Sequence, residues 1–469
     1  MSDTVDDLKQ AIRGARLAFA RSTRALRGGK AATLVATRPK AWRLAVSRRI
    51  SARAATSSLF DPLDYAHSHP GVRETGLDPV SHFATRGLPM GRSAFSPGAL
   101  ARLMHNLDAD HLTASAEFLA EFERAQGLFA RIETFVGVRS FAVVVHSAAN
   151  HYMRPLAEAL RRALSAGGAD CPLMDEADPR LESIDIPIVV APHEFFDFEL
   201  PPAIQADAFI AKAVLFNTEQ LPSPWFARAA RHLFRARAVL DVNFQTARAL
   251  GRDFPALHVL PGYDTSQMEA DLACVDPFHP MFRWAPPAWY MAETGRPWEE
   301  RDFDLLFTGY RTPVRDRILA RMAADLARRE TLLAYGSLPA GSSRIDEKTR
   351  SLFANNVAAA RNSRLILNIS RYPMGYFEWE RMVVQGAAAG ACVVSSMTLP
   401  SPFFTPGQHY YETVSRNVDK LMRWLLDDAD GQAAATAAAV AASEVLTTQL
   451  TPERVGRHVL AFLMDIEAT

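Results

Sequence analysis

Glu378 and Arg381 could bind a nucleotide together, because they lie three residues apart where a predicted helix begins. Side chains at positions i and i+3 share one face of a helix. A carboxylate there can accept hydrogen bonds from both hydroxyls of a ribose, and a guanidinium can bind a phosphate oxygen or hold the carboxylate in place. The alternative is an ordinary surface ion pair, which is common on helices and weak.

The elements around this pair are predicted to place it at the edge of a sheet. The apolar run 365–369 has the character of a strand, and a helix is predicted over 377–389. Gly390 ends that helix before a second buried strand at 391–394. In a mostly parallel sheet, a strand-to-helix loop lies at the carboxyl edge, where ligands bind. We therefore expect the pair to face a ligand.

Several segments resemble bacterial glycosyltransferases of the GT-B type. "LNIS", "FEWER" and "GACVVSS" resemble their C-terminal nucleotide-sugar half, in the pattern of an Asn-bearing strand, Glu-x-x-Arg, and a Gly before a Val-Val strand. Upstream, "IVVAPHEFF", "AVLFNTEQLPSPWF", "AVLDVNFQTARAL" and "HVLPGYD" are similar, in the same order, to the acceptor half of one subgroup. The similarity covers residues 138–430.

This resemblance implies an α/β fold with two Rossmann-like domains facing across a cleft. It implies transfer of a sugar from a nucleotide-sugar donor to a carbohydrate or lipid-linked acceptor, in bacterial envelope polysaccharide synthesis. Asn368, Glu378 and Arg381 would bind the donor. The chemistry would be metal-independent, with positive groups and helix N-termini stabilising the leaving diphosphate, so no metal and no cofactor are expected.

Two other kinds of protein stay open as alternatives. A non-catalytic protein with this fold could bind a glycan or serve as a scaffold for a partner enzyme. A nucleotide-sugar epimerase could use the same two-domain cleft. The Glu378/Arg381 pair favours nucleotide binding over a pure scaffold.

A candidate general base follows the predicted strand 186–191, where His193 and Glu194 are adjacent. A carboxylate beside a neutral imidazole can fix its tautomer and stabilise the imidazolium. Adjacent residues on an extended chain point in opposite directions, however, so the two side chains need not touch. They are predicted to act as base or to orient the acceptor, with structural hydrogen bonding at the strand end as the alternative.

Glu219 and Gln220 follow the next predicted strand, 213–216. Their side chains can bind sugar hydroxyls or the backbone of their own loop, and by residue type alone loop bonding is the safer interpretation. The resemblance makes both residues candidates for lining the cleft between the domains. Glu219 is the next candidate for catalysis after His193 and Glu194.

Three further residues are predicted on the acceptor side. His146 and Asn150 lie in the turn after the first strand of the sheet, and such loops at the carboxyl edge hold substrates. Asp264 ends the segment "HVLPGYD" and, by the resemblance, faces the cleft near the crossover to the second half.

A diphosphate site is predicted where a strand over 304–308 meets Gly309. Gly309 would let the backbone approach a ligand closely, and a helix beginning near Pro313 would turn free N–H groups toward it. Arg311 or Arg315 would supply positive charge. A plain turn before a helix explains the glycine nearly as well.

Length and composition fit two domains with an N-terminal extension. The chain has 469 residues, 48% of them hydrophobic and 22% charged, as in globular proteins. The predicted parts are a basic arm over 1–58, a Pro-rich module and helical linker over 59–135, an acceptor domain over 136–268, a linker over 269–300, and a nucleotide-sugar domain with a helical tail over 301–469.

The basic arm could contact a membrane. Residues 1–53 hold 13 Lys and Arg against three Asp, a net charge of +10, which the rest of the neutral chain balances with −10. Leu8, Ile12, Phe19 and Leu26 form an apolar stripe at helical spacing, and such a basic amphipathic helix can lie on an anionic leaflet. A helix packed on its own protein, or a solvated arm, is as plausible. No run approaches the ~20 apolar residues that span a bilayer, and the start does not resemble a secretory signal.

The module over 59–97 is cut by five prolines into short pieces. It resembles the short Tyr, Asp-Pro, His-Tyr, Gly-Arg element found N-terminal to many bacterial polysaccharide glycosyltransferases. Phe83 stands where that element has Tyr, and Met90 stands where it has Glu. A packing or targeting role is predicted, without catalysis.

The three cysteines predict a reducing compartment. Cys171, Cys274 and Cys392 are far apart and have no ligand spacing, so neither a disulfide framework nor a structural metal is expected. The predicted location is the cytoplasm, with residues 1–50 as the segment that could contact the inner membrane. No nucleic-acid partner is expected.

Overall fold

The chain is described by a computed structural model that covers residues 60–87, 90, 92, 111–150, 152–221, 223–252, 255–282, 285–286, 289, 296–336, 347–371 and 376–468. The basic arm over 1–58 lies outside the described residues, and so does its predicted amphipathic helix. Within the described residues, no helix is both long enough and apolar enough to span a bilayer.

The Pro-rich module is a set of short helices that packs on the first domain. Its core joins Tyr65 and Phe83 to Phe234 of that domain, and Tyr65 Oη lies 3.0 Å from His82 Nδ1. The described part of the module therefore packs on the first domain, and its role, packing or targeting, stays a prediction. Its helices and the two helices that follow are α1 (Pro62–Ser68), α2 (Gly71–Glu74), α3 (Pro79–His82, continuing as a π-helical turn, Phe83–Gly87), α4 (His111–Gln126) and α5 (Phe129–Val136).

The first domain is built on a six-stranded parallel sheet, with strand order β2-β1-β3-β4-β5-β6. Its central strands are wholly buried, as is usual when helices cover both faces of a parallel sheet. The strands are β1 (Phe141–Val144), β2 (Leu173–Met174), β3 (Ile186–Val190), β4 (Val214–Asn217), β5 (Ala238–Asp241) and β6 (Ala256–His258).

Helices follow most strands of this sheet, which makes its carboxyl edge a row of loops. A 3₁₀ turn, Pro179–Ser183, precedes β3. The helices are α6 (Met153–Ala166), α7 (Pro192–Phe195), α8 (Pro202–Gln205), α9 (Asp207–Lys212), α10 (Pro224–Leu233), α11 (Phe244–Gly251) and α12 (Thr265–Leu272).

The second domain is built on a five-stranded parallel sheet, with strand order β11-β10-β9-β7-β8. Its strands are β7 (Phe303–Tyr310), β8 (Thr331–Gly336), β9 (Ser363–Asn368), β10 (Cys392–Ser396) and β11 (Tyr411–Thr413). Its helices are α13 (Pro313–Leu326), α14 (Glu347–Arg361), a π-helix (Trp379–Ala387), α15 (Val418–Asp427), α16 (Ala429–Glu444), a π-helical turn (Val445–Gln449) and α17 (Pro452–Ala468); a 3₁₀ turn, Trp298–Glu300, precedes β7. The predicted pair of Rossmann-like α/β domains is confirmed by these two sheets.

The two domains are held together by direct contacts. Trp379 Nε1 donates to Pro261 O at 2.7 Å, and Gln245 Nε2 donates to Pro400 O at 2.6 Å. One hydrophobic cluster contains side chains from both sheets. The final helix, α17, was predicted as part of the second domain, and it packs along α6 of the first. The chain therefore crosses back over the junction at its end.

Three predicted elements differ from the observed ones. The helix expected over 377–389 begins at Trp379 and has π geometry, which hydrophobic spacing alone does not distinguish from α geometry. The predicted helical linker, which ends at residue 135, contains a break after Gln126 in its described part, where Gly127 and Leu128 separate α4 from α5. Strand β2 was not predicted, because two residues are too few to show a period.

Candidate functional site

The predicted pair Glu378 and Arg381 is in contact, and a third residue joins it. Glu378 is the N-cap residue of the π-helix, and one of its carboxylate oxygens accepts from Arg381 Nη2. Arg381 Nε donates to Asn368 Oδ1 at 2.9 Å, and Asn368 Nδ2 donates to Ser395 Oγ at 3.0 Å. Arg381 and Asn368 are buried. Arg381 is thus fixed between the strand ends and Glu378, which is half-buried.

Arg315 is the most deeply buried arginine of the described chain, with an exposed fraction of 1%. Its Nε donates to Ile369 O at 2.8 Å and its Nη1 to Tyr310 O at 3.1 Å, so the guanidinium joins the ends of β9 and β7. Nη2 is buried and has no hydrogen-bond partner within the described residues. Burial lowers the pKa of Arg315 to about 10, and the neighbouring charge of Arg371 acts in the same direction.

Gly309 makes room for this guanidinium. A Cβ at Gly309 would lie 3.1 Å from Arg315 Nη1, tighter than ordinary van der Waals contact. The sequence-based expectation was that Gly309 lets a ligand approach, and the structure places an arginine side chain there instead. Thr312 caps α13 by accepting from Arg315 N at 3.2 Å, with Pro313 at the first helical position, as expected for this helix start.

The side chain of Arg311 lies at the protein surface. Its Nε lies 3.2 Å from Asp316 Oδ1, and Tyr335 Oη donates to the same carboxylate at 2.7 Å. Arg311 is exposed, and this pairing raises its pKa. Of the two arginines predicted to bind a diphosphate, Arg315 lies inside the cluster and Arg311 outside it.

Two charged residues that the sequence analysis did not select lie in the same region. Glu380 is on the π-helix, and burial raises the pKa of its carboxyl to about 8, with Arg371 acting in the opposite direction. Gln385 Nε2 donates to Glu380 Oε1 at 3.2 Å. Arg371 is exposed and follows β9. A charged residue just after the strand "LILN" was the signal that could have selected Arg371.

On the first domain, a strained turn carries the candidate base. Ala191, directly after β3, has φ 54°, and it is the non-glycine residue with positive φ in the described backbone. Such a conformation is uncommon for alanine and is often found at functional sites. The turn leads into α7, where His193 Nε2 lies 3.7 Å from Glu194 Oε1 and 3.5 Å from Glu219 Oε1. The structure therefore brings together all three predicted catalytic residues.

The two carboxylates differ in how they are held. Glu194 Oε2 accepts from Asn150 N at 2.6 Å, so the loop after β1 occupies it. Glu219 Oε2 accepts from Ser223 Oγ at 2.9 Å. Burial raises the pKa of Glu219, and the charges of His193 and Arg371 and the bond from Ser223 act in the opposite direction. A carboxylate whose pKa is raised is better matched to proton transfer near neutral pH.

The loop that carries Glu219 is fixed by a buried polar network. Asn217 Nδ2 donates to Asp241 Oδ2 at 2.7 Å and to Glu219 O at 2.9 Å. Asn243 N donates to Asp241 Oδ1 at 2.7 Å. Asp241 is fully buried, and burial raises the pKa of its carboxyl well above its usual value. The ends of β4 and β5 are thereby tied to each other beneath Glu219.

The remaining predicted acceptor-side residues have structural contacts. His146 is buried; its Nδ1 accepts from Ala148 N at 3.0 Å, so Nε2 carries the proton and donates to Glu199 O at 3.1 Å. Asn150 Oδ1 accepts from Tyr152 N at 3.2 Å. Asn150 reaches the His193 cluster through its backbone N–H, which bonds Glu194. The acceptor roles of His146 and Asn150 stay predictions.

The side chains of Asp264 and Gln220 make no hydrogen bond or ion pair with His193, Glu194 or Glu219 within the described residues. Asp264 is the N-cap residue of α12 and accepts from Gln267 N at 2.7 Å, which is a capping role. Gln220 Oε1 is buried and has no hydrogen-bond partner within the described residues. The ligand roles of both residues stay predictions.

Arg371 connects the two halves of the site electrostatically. On the first domain its charge acts on Glu219 and on Tyr152, a residue whose hydroxyl pKa is raised by burial. On the second domain its charge acts on Tyr310, Arg315, Glu380 and Arg381. Residues of both domains, at the carboxyl edges of the two sheets, therefore lie close enough to Arg371 for its charge to act on them.

Among the described residues, no group of three or more His, Cys, Asp or Glu side chains is arranged to hold a metal ion. Positive charge in this region comes from Arg371, Arg315 and Arg381. Arginine fits phosphate oxygens because its planar guanidinium can donate two hydrogen bonds side by side. The arrangement is suited to an anion such as a diphosphate.

The chain is similar to several solved structures. The structure of HepE from Anabaena, in complex with UDP and glucose, is 10% identical, with a TM-score of 0.45 over 69% of this chain and 99% of that chain. Sucrose-phosphate synthase from Thermosynechococcus elongatus is 11% identical, with a TM-score of 0.42 over 70% of this chain and 100% of that chain. A glycosyltransferase from Rickettsia africae is 11% identical, with a TM-score of 0.42 over 70% and 99%. No protein-family model matches the chain, and no curated protein matches its sequence.

Proposed function

We propose that this protein is a glycosyltransferase that moves a sugar from a nucleotide-sugar donor to a carbohydrate or lipid-linked acceptor. The observation that carries the proposal is that the charge of Arg371 acts on Glu219 of one domain and on Arg315, Glu380 and Arg381 of the other. The two domains meet nearby, where Trp379, the neighbour of Glu380, donates a hydrogen bond to Pro261 O. A cluster of cations opposite a carboxylate with a raised pKa suits a reaction in which an anion leaves and a hydroxyl loses its proton.

The donor would bind on the second domain. Arg371 and the unpartnered Nη2 of Arg315 would donate to the diphosphate, while Arg381 holds Glu378 in place. Glu378 would accept hydrogen bonds from the ribose hydroxyls. As the bond between the sugar C1 and the phosphate oxygen breaks, its electron pair goes to the diphosphate, and the arginines stabilise that charge without a metal ion.

The acceptor would lose its proton to the first domain. We assign Glu219 as the general base, because its carboxyl has the raised pKa and it faces Arg371, whereas Glu194 is occupied by Asn150. His193 is only 2% exposed and would position Glu219 and stabilise its charge. The acceptor oxygen then forms the new bond to C1, and its proton is on Glu219.

Product analysis tests this proposal against its rivals. The protein would be incubated with a panel of nucleotide sugars and pyranose or lipid-linked acceptors, followed by mass spectrometry. We expect a free nucleoside diphosphate and a glycosylated acceptor, and the loss of both in Arg371→Ala. Arg321→Ala, which removes an exposed arginine from the same helix as Arg315, is the charge-matched control. An epimerised nucleotide sugar without a glycosylated product would show an epimerase, and no turnover of any donor would favour a binding protein.

The proposal extends to bacterial envelope polysaccharide synthesis at the cytoplasmic face of the inner membrane. The support is the +10 charge of residues 1–53 and their apolar stripe, which would hold the enzyme near lipid-linked acceptors.

A further inference from the structure

An exposed tryptophan stands beside the candidate base. Trp225 is 40% exposed, an unusual state for so large an apolar ring, and it lies in the first turn of α10. Its ring centroid is 6.2 Å from that of His193, with the planes inclined by 49°. The ring therefore lies at the carboxyl edge of the first sheet, next to the cluster assigned to proton transfer.

The backbone ties this ring to the position of Glu219. Ser223 is the N-cap residue of α10, and its Oγ accepts from Trp225 N at 3.1 Å while donating to Glu219 Oε2 at 2.9 Å. A ligand that rests on Trp225 would thus be placed relative to the same hydroxyl group that orients the base. Ser223 caps the helix start, and Asn217 fixes the loop that carries Glu219. The fold therefore sets the position of Trp225 relative to Glu219.

Polar groups lie over and beside the ring. The guanidinium of Arg228 lies over one face of the Trp225 ring, with its central carbon 4.5 Å from the ring centroid, a cation–π contact. Arg228 Nη1 is 3.2 Å from Asp197 Oδ2, and Arg231 pairs with the other oxygen of the same carboxylate. Arg228 and Asp197 are both accessible, so hydrogen-bond donors and acceptors lie next to an apolar surface.

We propose that Trp225 is the floor of an acceptor subsite that binds a pyranose ring. One face of a pyranose carries C–H groups that pack on an aromatic ring, while its hydroxyls need the polar partners that Arg228 and Asp197 offer. Carbohydrate is thus recognised by an apolar platform with a polar border, as in other concave sites with few, well-placed polar groups. This inference rests on the proposed glycosyl transfer, for which it names the acceptor class and where the acceptor binds.

The other exposed tryptophans in the described part of the chain, Trp424 and Trp289, have different surroundings. Trp424 is 39% exposed but lies on α15, where its ring packs on Tyr411 at 5.7 Å. Trp289 is 40% exposed and packs on Phe303 at 5.4 Å. Neither ring contact involves a residue of the candidate catalytic cluster. Trp424 is consequently a matched control for the loss of an exposed indole.

The test compares Trp225→Ala, Trp225→Phe and Trp424→Ala in the full chain. Binding of cellopentaose, maltopentaose and chitopentaose would be measured by calorimetry with the donor nucleotide present, and acceptor KM would be measured separately from kcat. We expect wild type to bind at least one of the three, Trp225→Ala to weaken that binding and raise KM about tenfold, Trp225→Phe to retain most of it, and Trp424→Ala to match wild type.

Equal oligosaccharide affinity in Trp225→Ala and wild type would overturn the subsite, and so would no binding of any of the three probes by wild type. The same weakening in Trp424→Ala would also overturn it, since the effect would then belong to exposed indoles in general. Nucleotide affinity of each variant separates this inference from the proposed function. If the protein binds and turns over a nucleotide sugar but gives one of those results, the proposed function stands and the subsite proposal is wrong. If it binds no nucleotide sugar, the proposed function is wrong.

Discussion

Proton transfer and charge stabilisation are assigned to different residues on opposite walls of the cleft. Glu219 is coupled to His193 at 3.5 Å and is held by Ser223. Arg371 and Arg315 bring positive charge from the other wall. Because these groups lie on different elements of the fold, each can be removed separately in an experiment.

Replacing Glu219 with Gln should remove the base while keeping the hydrogen bond from Ser223. Loss of a general base lowers rates by about 100-fold to 10,000-fold, so kcat should fall in that range while nucleotide affinity stays unchanged. Burial raises the pKa of Glu219, and the base acts when ionised, so the wild-type rate should fall as the pH drops through that raised pKa. The pH profile of kcat/KM measures this acid limb. Near-native turnover in Glu219→Gln, compared with the exposed control Glu182→Gln, would contradict the assignment.

The pKa of Glu380, raised to about 8 by burial, predicts a pH dependence of donor binding. At pH 7 the carboxyl is mostly neutral, and above pH 8 it becomes a carboxylate that repels a bound diphosphate. Nucleotide affinity of the wild type should therefore weaken between pH 7 and pH 9, while Glu380→Gln, which stays neutral, should show a flatter dependence. Calorimetry at pH 7 and pH 9 measures this dependence. If nucleotide affinity changes equally with pH in wild type and Glu380→Gln, Glu380 does not lie next to the bound diphosphate.

Sequence reasoning identified some of these residues and not others. The contact between Glu378 and Arg381 was predictable, because a spacing of three residues is a local property of a helix. The burial of Arg315 was not predictable, since it depends on two carbonyl groups, Tyr310 O and Ile369 O, that β7 and β9 bring together. The places of Arg371 and Glu380 in the candidate site were not predictable for the same reason, since they depend on which strands are neighbours.

At the scale of elements, most long strands and helices were predictable from hydrophobic pattern. Strands β9 and β10 lie where the apolar runs 365–369 and 391–394 predicted them. The π geometry over Trp379–Ala387 was not predictable, although such segments often occur at functional sites. It carries Glu380 and Arg381, so local backbone geometry contributes directly to the candidate site.

The packing of α17 on α6 requires a glycine. A Cβ at Gly456 would clash with the carbonyl oxygen of Ala163, which belongs to the backbone of α6 and cannot rotate away. Gly456→Ala should destabilise the protein by about 1–3 kcal/mol, the usual range for overpacking, and lower the Tm in a thermal melt. Gly336→Ala is the control, because nothing lies within 4 Å of a Cβ there and no positive φ opposes it. Equal Tm values for the two variants would show that α17 can move away from α6 without loss of stability.

At the scale of the whole molecule, the two domains enclose the site and the chain crosses back between them. Contacts such as Trp379 Nε1 to Pro261 O connect the second domain to the first near the cleft. The resemblance found in the sequence was specific enough to predict two Rossmann-like α/β domains. It could not rank residues within the cleft, because that ranking depends on contacts between segments distant in sequence.

The arm over residues 1–50 is predicted to bind anionic membranes. Each basic residue near an anionic leaflet contributes about 1 kcal/mol, and the attraction should weaken with salt because the screening length falls to ~3 Å at 1 M. Deleting residues 2–50 should abolish co-sedimentation with phosphatidylserine vesicles and leave the Tm of the two domains unchanged. Equal vesicle binding by full-length and truncated protein, or none by either, would remove the membrane from the proposed location.

Donor binding measured by thermal shift tests the central claim most directly. Wild type, Arg371→Ala and Arg321→Ala would be screened against nucleoside diphosphates and their sugars, with UDP and UDP-glucose included. We predict that at least one nucleotide sugar stabilises wild type and Arg321→Ala, by about 2.7 kcal/mol at about 100 times its dissociation constant, and that Arg371→Ala loses most of this shift. No stabilisation of wild type by any nucleotide sugar, or an equal shift in Arg371→Ala, would contradict a nucleotide-sugar site in this cleft.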